Sequence, residues 1–360
     1  MKIQLENASM KFGDFYAIKD ISISVETGEY LTVLGPSGCG KTTLMKVISG
    51  IWTPTEGKVF VDGKDVTKIP LEDRDIGYVF QNIALFPNMT IEENVGYSPR
   101  VKDLCQEETC SIANEYLELV KMLDSCNMFP HELSGGEQQK VAVARALASG
   151  SKLLMLDEPF SALDARVRVE LRYEIRRLVK SLGITVLHVT HDQEEAMSVS
   201  DRIILMRAGK IEEIGSPLNM YRNPKTIFTA YFIGETNLLE CTVTGKTRTG
   251  RTIVRLRGGR TVRAARSDFG IGEPVVISVR PENVYTAKDG LKAKVIGAVF
   301  MGSYWRIRTQ TETSDYVDYN VSSNDEVPKI GEKVYLVFNK RATKVFARPE
   351  EGLEEAIRLE

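Results

Sequence analysis

The amino-acid sequence predicts an α/β domain built around a phosphate-binding loop, followed by a small all-β barrel. A buried strand runs directly into a glycine-rich loop and a helix between residues 30 and 51, and further apolar strands and helices follow. From residue 237 the pattern changes to short strands separated by turn residues. A chain of 360 residues has material for about two domains that each bury a core. We therefore expect an α/β domain over residues 1–235, mostly helical at about 88–150, and a β domain over residues 236–360.

The composition excludes several classes of protein. A formal net charge of −2 gives no overall attraction to nucleic acid or anionic lipid. No apolar run approaches the roughly 20 residues of a membrane span, and the N-terminus lacks an apolar secretory core. The five cysteines are odd in number and form no C-x-x-C pair, so we expect neither a disulfide framework nor a zinc site. A reducing cytosol fits this pattern.

The N-terminal region reads as short strands. Residues 21–25 alternate apolar and polar side chains, and residues 59–61 and 76–80 are further strands, the last of which leads into Gln81. Phe12 precedes the first of them. Its aromatic ring is either a core side chain or a surface on which a nucleobase stacks.

The loop at residues 35–42 is the centre of the predicted site. It reads Gly35-Pro36-Ser37-Gly38-Cys39-Gly40-Lys41-Thr42 and fills every fixed position of the phosphate-loop pattern G-x-x-x-x-G-K-[ST]. Glycines let backbone amides turn inward around a polyphosphate, and the following helix N-terminus adds partial positive charge. We expect Lys41 to hold the outer phosphates, Thr42 to place its hydroxyl on Mg²⁺, and Thr43 to donate to a phosphate oxygen. A glycine-rich turn without a ligand is the alternative.

The segment at residues 133–140 carries the most specific motif. It reads Leu133-Ser134-Gly135-Gly136-Glu137-Gln138-Gln139-Lys140 and opens a helix. Ser134 and Glu137 also form a capping-box pattern, but capping requires neither the two glycines nor the glutamines. With a phosphate loop upstream, the segment resembles the signature sequence of ATP-binding cassette (ABC) ATPases. Two positions depart from the family's commonest form, which has glutamine at Glu137 and arginine at Lys140, and neither departure alters the serine or the glycines.

Other segments resemble motifs of the same family, in the family's order. An apolar run over residues 153–156 ends in Asp157 and Glu158, as in a Walker B segment. The resemblance implies that Asp157 serves Mg²⁺ and that Glu158 orients and polarises the attacking water. Taken alone, two adjacent acids after an apolar run are a solvated strand end.

The resemblance extends to four smaller motifs. Ser161-Ala162-Leu163-Asp164 looks like the D-loop, Gln81 matches the Q-loop glutamine, and His191 matches the switch histidine that reaches the γ-phosphate. Phe12 lies where the family carries its adenine-stacking aromatic residue. The implied catalytic residues are Glu158, His191 and Gln81, and the implied Mg²⁺ ligands are Thr42, Gln81 and Asp157. The implied ATP contacts are Phe12, Gly35, Ser37, Gly38, Cys39, Gly40, Lys41, Thr42, Thr43, Ser134, Gly136 and Asp164.

The resemblance covers residues 1 to about 235 and implies a RecA-like ABC domain with a helical subdomain. In this family two chains sandwich two ATP molecules head to tail, so Ser134 and Gly136 of one chain close over the ATP held by Lys41 of the other. The implied partners are a second copy of the chain, membrane-spanning permease subunits that dock near residues 81–95, and indirectly an extracytoplasmic solute-binding protein. The chain is then expected at the cytoplasmic face of a membrane.

The C-terminal strands carry a second resemblance. Val279-Arg280-Pro281-Glu282 and Phe300-Met301-Gly302-Ser303 are similar to segments of the oligonucleotide/oligosaccharide-binding-like (TOBE-type) barrels attached to maltose and spermidine/putrescine importer ATPases. The leading hypothesis is therefore an ATPase that energises solute import. The sequence Phe232-Ile233-Gly234-Glu235-Thr236-Asn237 looks more like polyamine and ferric-iron importers than sugar importers, which favours a polyamine or another small charged solute.

Two alternatives stay open, and a third is excluded. A sugar importer ATPase of the maltose type is one. A soluble ABC protein acting on nucleic acid or ribosomes is another, because seven arginines between residues 248 and 266 offer a phosphate-binding patch. No aromatic residue interleaves with them, however, and such a run is usually a solvated face, so no nucleic-acid partner is expected. A GTPase would need Asn-Lys-x-Asp, and Asn339-Lys340 lacks the aspartate.

Overall fold

The computed structural model describes residues 1–359, which divide into two compact units, Met1–Pro217 and Leu218–Arg358. Among these residues, no helix combines the length and the apolar character that crossing a bilayer requires. The expected α/β fold followed by an all-β unit is confirmed. The second compact unit begins at Leu218. The predicted domain boundary at residues 235/236 stays a prediction.

Ten strands and seven helices make up the first unit. The strands are β1 Ile3–Phe12, β2 Phe15–Val25, β3 Tyr30–Leu34, β4 Glu56–Val61, β5 Lys64–Asp65, β6 Ile76–Val79, β7 Leu153–Asp157, β8 Thr185–Thr190, β9 Arg202–Arg207 and β10 Lys210–Gly215. The helices are α1 Lys41–Ser49, α2 Ile91–Val95, α3 Tyr97–Val101, α4 Gln106–Leu119, α5 Gly135–Ala148, α6 Ala165–Ser181 and α7 Gln193–Val199.

A six-stranded sheet in the order β10-β9-β3-β8-β7-β6 forms the centre of this unit. Its strands are parallel except β10, which pairs antiparallel with β9 at the edge. Every residue of β3, β7 and β8 is buried, as expected for a parallel sheet covered on both faces. The carboxyl ends of β3, β6, β7 and β8 therefore lie along one edge, where ligands of such sheets bind.

An antiparallel sheet in the order β2-β1-β4-β5 shares its core with α1 and the central sheet. Helices α2 to α5 form a second layer of packing with a core of their own. That core includes Ile91 and Val95 of α2, Leu117 of α4 and Val141 of α5. Ile91 and Val95 are four residues apart, which puts both apolar side chains on one face of α2.

The second unit contains two five-stranded antiparallel sheets whose inner faces share one core. The sheet orders are β13-β12-β11-β14-β20 and β15-β19-β16-β17-β18. The strands are β11 Asn237–Lys246, β12 Thr252–Leu256, β13 Thr261–Arg263, β14 Pro274–Val279, β15 Val284–Ala287, β16 Leu291–Phe300, β17 Tyr304–Thr311, β18 Tyr316–Ser322, β19 Lys333–Phe338 and β20 Lys344–Ala347. Three short helices are α8 Pro217–Arg222, α9 Ile227–Phe232 and α10 Leu353–Ala356.

Arg280 explains why residues 221–235 pack with the barrel. Its guanidinium group is buried and donates to the carbonyl oxygens of Ala230, Gly234 and Glu235 at 2.7, 2.7 and 3.0 Å. A further bond of 3.2 Å reaches the carbonyl oxygen of Tyr221, whose ring lies 4.3 Å from the guanidinium carbon. Burial lowers the pKa of Arg280, and these acceptors compensate the buried charge.

Candidate functional site

The loop between β3 and α1 is held in shape by close backbone contacts. Gly40, which caps α1, has φ 102°, and a Cβ atom there would lie 2.4 Å from the carbonyl oxygen of Ala17. A Cβ atom at Gly35 would lie 2.4 Å from the carbonyl oxygen of Met206. Only glycine fits at these two positions, and the loop therefore packs directly against β2 and β9.

Lys41 places its charge inside the curve of this loop. The side chain is 5% exposed, and its Nζ donates to the carbonyl oxygens of Gly35 and Pro36 at 2.9 and 2.8 Å. Ser37, Gly38 and Thr42 are exposed, whereas Thr43 is half-buried. The Cys39 side chain is buried, and burial raises the pKa of its thiol, so this residue stays neutral.

Asp157 ends β7 and has one carboxylate oxygen without a protein partner. The residue is 7% exposed, and burial raises its pKa above the ordinary value. The hydroxyl group of Tyr78 donates to Oδ2 at 3.2 Å, while Oδ1 is buried and makes no hydrogen bond. A buried unsatisfied acceptor costs about 1–3 kcal/mol, and carboxylate oxygens are preferred Mg²⁺ ligands. The residues present therefore fit Mg²⁺, although residues 1–359 hold no cluster of three His, Cys, Asp or Glu side chains suited to a metal.

Glu158 joins the other two residues predicted to be catalytic. Its Oε2 accepts a hydrogen bond of 3.1 Å from Nε2 of Gln81, and its Oε1 lies 3.2 Å from Nδ1 of His191. The backbone of Glu158 has φ 45°, which is uncommon for a residue with a side chain, and its N–H donates to the carbonyl oxygen of Val189 at 2.9 Å. The ends of β6, β7 and β8 thus bring the three side chains into one group around the Glu158 carboxylate.

A buried network beneath His191 was not predicted from the sequence. His188 is fully buried, with Nε2 2.9 Å from Oε1 of Glu195 and Nδ1 3.3 Å from the hydroxyl group of Tyr30. The other oxygen of Glu195 accepts from the hydroxyl group of Thr190 at 2.8 Å. Burial would raise the pKa of Glu195, but the neighbouring His188 ring and the hydrogen bond from Thr190 lower it overall. Asp192 followed by Glu195 three residues later is a capping pattern that offered a signal for part of this network.

Phe12 presents an exposed ring at the end of β1. Its ring is 45% exposed and meets Trp52 edge to face, with centroids 5.1 Å apart and an interplanar angle of 73°. The Trp52 ring in turn lies 4.4 Å from Nζ of Lys46 in α1. Edge-to-face contact fixes the orientation of Phe12 and leaves ring surface accessible to a ligand. The sequence alone did not indicate Trp52.

The residues of the signature segment and the D-loop lie at the starts of α5 and α6. Ser134 caps α5 in a capping box with Glu137, and Asp164 caps α6. A Cβ atom at Gly136 would lie 2.7 Å from Cγ1 of Val167, so the two helix starts pack closely. The hydrogen bond from Ser134 lowers the pKa of Glu137. Within residues 1–359, no hydrogen bond or ion pair joins Ser134, Gly136 or Asp164 to the phosphate loop.

Two family models match the chain. The model described as "ABC transporter" matches residues 18–161, and the model described as "TOBE domain" matches residues 277–346. The first range contains the phosphate loop, the signature segment and the two acids after β7. The second lies within the all-β unit.

Named relatives match most of the chain. An Fe(3+) ions import ATP-binding protein (FbpC) from Rhizobium etli is 40% identical over 333 residues, covering 89% of this chain and 92% of the relative. A spermidine/putrescine import ATP-binding protein (PotA) from Vibrio cholerae is 40% identical over 304 residues, covering 84% and 81%. The solved dimeric structure of the ATP-binding cassette MJ0796, bound to ADP and Pi after hydrolysis, is 33% identical with a TM-score of 0.54, covering 60% of this chain and 98% of that one.

Proposed function

Since this chain belongs to the ABC transporter family and is an ATPase that energises import, we propose that Glu158 polarises the water that attacks the γ-phosphate of ATP. The observation that carries the proposal is the placement of Gln81 and His191 on either side of the Glu158 carboxylate at the sheet edge. Nε2 of Gln81 donates a hydrogen bond to one carboxylate oxygen of Glu158, and Nδ1 of His191 lies 3.2 Å from the other. Fixing a carboxylate at both oxygens sets its orientation before the substrate arrives, which general-base catalysis requires.

The phosphate loop and Asp157 account for nucleotide and metal binding. Lys41 is proposed to exchange its bonds to the loop carbonyls for bonds to the outer phosphates, and Thr43 to donate to a phosphate oxygen. Thr42 and Asp157, with Gln81, are the proposed Mg²⁺ ligands, and the free Oδ1 of Asp157 supports this assignment. Mg²⁺, when bound, offsets negative charge on the phosphates. The exposed ring of Phe12 is proposed to stack on the adenine.

A second copy of the chain is proposed to complete each site. Ser134, Gly136 and Asp164 lie at helix starts that, in the part of the chain that the structure describes, make no hydrogen bond or ion pair to the phosphate loop. The solved relative is described as dimeric, which supports a dimer, and the head-to-tail arrangement is what the family implies. Helix starts carry free N–H groups and partial positive charge, so the signature segment suits the phosphates held by the other chain.

Substitution of Glu158 tests the catalytic assignment. We expect Glu158→Gln to bind ATP normally, to lose roughly 10² to 10⁴ in hydrolysis rate and to form an ATP-trapped dimer. Lys41→Ala loses ATP binding itself. The matched control is Glu194→Gln, an acid beyond His191 that we place outside the site. Hydrolysis by Glu158→Gln near the wild-type rate, or a monomer at saturating ATP, would remove Glu158 from this role.

Permease subunits are the proposed membrane partners, with the chain on the cytoplasmic face and an extracytoplasmic binding protein acting indirectly. Residues 81–95 are the proposed docking surface. Reversal of charge at both Glu92 and Glu93 should weaken assembly, but Glu93 also accepts the N–H of Thr90 at 2.8 Å in the capping box of α2. Glu92→Lys is therefore the cleaner variant, with Glu118→Lys on α4 as its control. Equal recovery of permease with both variants from native membranes contradicts this surface.

A small cationic solute is the proposed cargo, with a polyamine favoured over a sugar. The named relatives import Fe(3+) or spermidine/putrescine according to their descriptions, and both kinds of solute are cations. A thermal-shift screen of the cognate binding protein tests this, since a ligand at about 100 times its dissociation constant adds roughly 2.7 kcal/mol of stability. Stabilisation of the binding protein by maltose-like sugars alone would show that the cargo is a sugar and not a cation, and would leave the ATPase assignment intact.

A further inference from the structure

We propose that a cavity in the all-β unit binds a phosphate-type anion carrying at least two negative charges. The cavity has a volume of about 390 Å³ and is lined by Thr247, Arg248, Thr249, Arg251, Arg263 and Lys340. These residues come from the β11–β12 turn, the end of β13 and the β19–β20 turn. Four of the six lining side chains are cations, and none is a carboxylate.

The four cations of this cavity also lack carboxylate partners elsewhere. Among residues 1–359, no ion pair within 4.0 Å involves Arg248, Arg251, Arg263 or Lys340. Other arginines of the same run differ, because Arg257 pairs with Glu240 and Asp315, and Arg260 pairs with Asp289 through two bonds of 3.1 and 2.7 Å. Two arginines of the run are thus paired with carboxylates, whereas three others, Arg248, Arg251 and Arg263, line one cavity together with Lys340 and form no ion pair among residues 1–359. Like charges that line one cavity repel one another, and a bound anion reduces that repulsion.

Backbone hydrogen bonds hold the three segments of the cavity in place. The N–H of Arg251 donates to Oγ1 of Thr247 at 3.0 Å, and the N–H of Thr247 donates to the carbonyl oxygen of Arg251 at 2.8 Å. The N–H of Ala265, just after β13, donates to the carbonyl oxygen of Thr343 at 2.8 Å, beside the β19–β20 turn. Nε of Arg266 also donates to the carbonyl oxygen of Thr249 at 3.1 Å. Hydrogen bonds within the chain therefore hold the backbone that carries these cations, independently of any ligand.

The lining chemistry selects the class of ligand. Planar guanidinium groups bind two oxygens of a phosphate at once, and the threonine hydroxyl groups supply further donors. No aromatic side chain lines the cavity, so it offers no surface on which bases of a single-stranded nucleic acid would stack. The volume is near the lower end for small-ligand cavities. Phosphate, pyrophosphate or the headgroup of an anionic phospholipid shares the required chemistry.

Calorimetric titration of the full chain with pyrophosphate tests the site, with saturating ADP present so that the phosphate loop is occupied. We expect one pyrophosphate to bind per chain and the affinity to fall as KCl rises. The double variant Arg248→Gln, Arg263→Gln should weaken binding at least tenfold. The matched control is Arg255→Gln, Lys288→Gln, which removes the same charge from residues outside the cavity and should change affinity less than twofold. Circular dichroism and thermal melts establish that both variants are folded.

A parallel flotation experiment with phosphatidylglycerol/phosphatidylcholine vesicles identifies the source of the phosphate group. Pyrophosphate binding without flotation assigns a soluble anion, and flotation that requires Arg248 and Arg263 assigns a lipid headgroup. The proposal is overturned if the wild-type chain binds neither probe, or if the cavity variant and its control lose binding equally. It is also overturned if single-stranded DNA binds through the same arginines more tightly than either probe.

Discussion

Tyr78→Phe isolates the contribution of one hydroxyl group to the state of Asp157. The Tyr78 hydroxyl is the only protein donor to either carboxylate oxygen among residues 1–359, and its bond to Oδ2 is 3.2 Å long. A hydrogen bond to a charged group contributes about 1.5–3 kcal/mol, and the length of this bond favours the lower figure. Burial already raises the pKa of Asp157 and the Tyr78 hydroxyl group lowers it, so loss of this bond raises the pKa of Asp157 further.

The effect of Tyr78→Phe on the free energy of unfolding depends on pH. The hydroxyl group stabilises the ionised carboxylate, so the free energy of unfolding falls by about 1.5 kcal/mol above the pKa of Asp157. The loss shrinks as pH falls through that pKa, because the protonated acid no longer needs the donor. For a unit of this size the melting temperature at neutral pH should fall by about 3–6 °C.

The assay is the pH profile of kcat/KM for Mg-ATP, which reports groups of the free enzyme. If Asp157 must be ionised, the acid limb moves to higher pH in Tyr78→Phe, while the plateau stays unchanged. Tyr116→Phe is the matched control, because Tyr116 is also half-buried but lies on α4. An acid limb that does not move, or that moves equally in both variants, refutes the assignment of Asp157.

Three further outcomes follow from the geometry. Asp157→Asn should raise the melting temperature of the nucleotide-free chain, because the raised pKa of Asp157 means that its ionised carboxylate costs stability as pH rises. The same variant should abolish Mg²⁺-dependent hydrolysis. A lower melting temperature contradicts the stability prediction. Trp52→Leu should weaken ATP binding about two- to tenfold in a calorimetric titration, because Phe12 loses the ring that orients it. The control Trp305→Leu should leave the affinity for ATP unchanged. Equal affinities of the two variants contradict a role of the Phe12–Trp52 contact in ATP binding. Arg280→Met should lower the urea-unfolding free energy of the second unit by about 2–4 kcal/mol, and an unchanged midpoint shows that its four carbonyl bonds are not needed.

Local sequence patterns predicted much of the fold and the positions of the site. The phosphate loop, the apolar strand before Asp157 and the signature segment each combine a local periodicity with a fixed spacing, so they are visible in a short window of sequence. Their meeting point also follows from the sequence, because carboxyl ends of parallel strands lie along one edge. Gln81, Glu158 and His191 accordingly lie together.

Contacts between distant segments could not be predicted. Tyr78 and Asp157 are 79 positions apart, and His188 lies on a strand whose apolar pattern gives no reason to expect a buried ring beside the carboxylate of Glu195. The arginine run shows the same limit. Whether each arginine meets a carboxylate depends on strand register and turn geometry, which place Asp289 beside Arg260 and nothing acidic beside Arg263.

The two acids after β7 differ in role because the backbone separates them. Asp157 is the last residue of the strand and points into the buried space beside Tyr78, where its charge is poorly solvated. At Glu158 the chain turns to φ 45° and its N–H binds Val189, which directs the side chain to the neighbouring strand ends and to His191. A carboxylate that is shielded from water and keeps one oxygen without a hydrogen bond suits a cation, whereas one whose two oxygens face Gln81 and His191 suits a water molecule. Exchange of the two residues, Asp157→Glu with Glu158→Asp, keeps the charge and composition but should abolish hydrolysis, because the shorter acid no longer reaches Gln81 and His191.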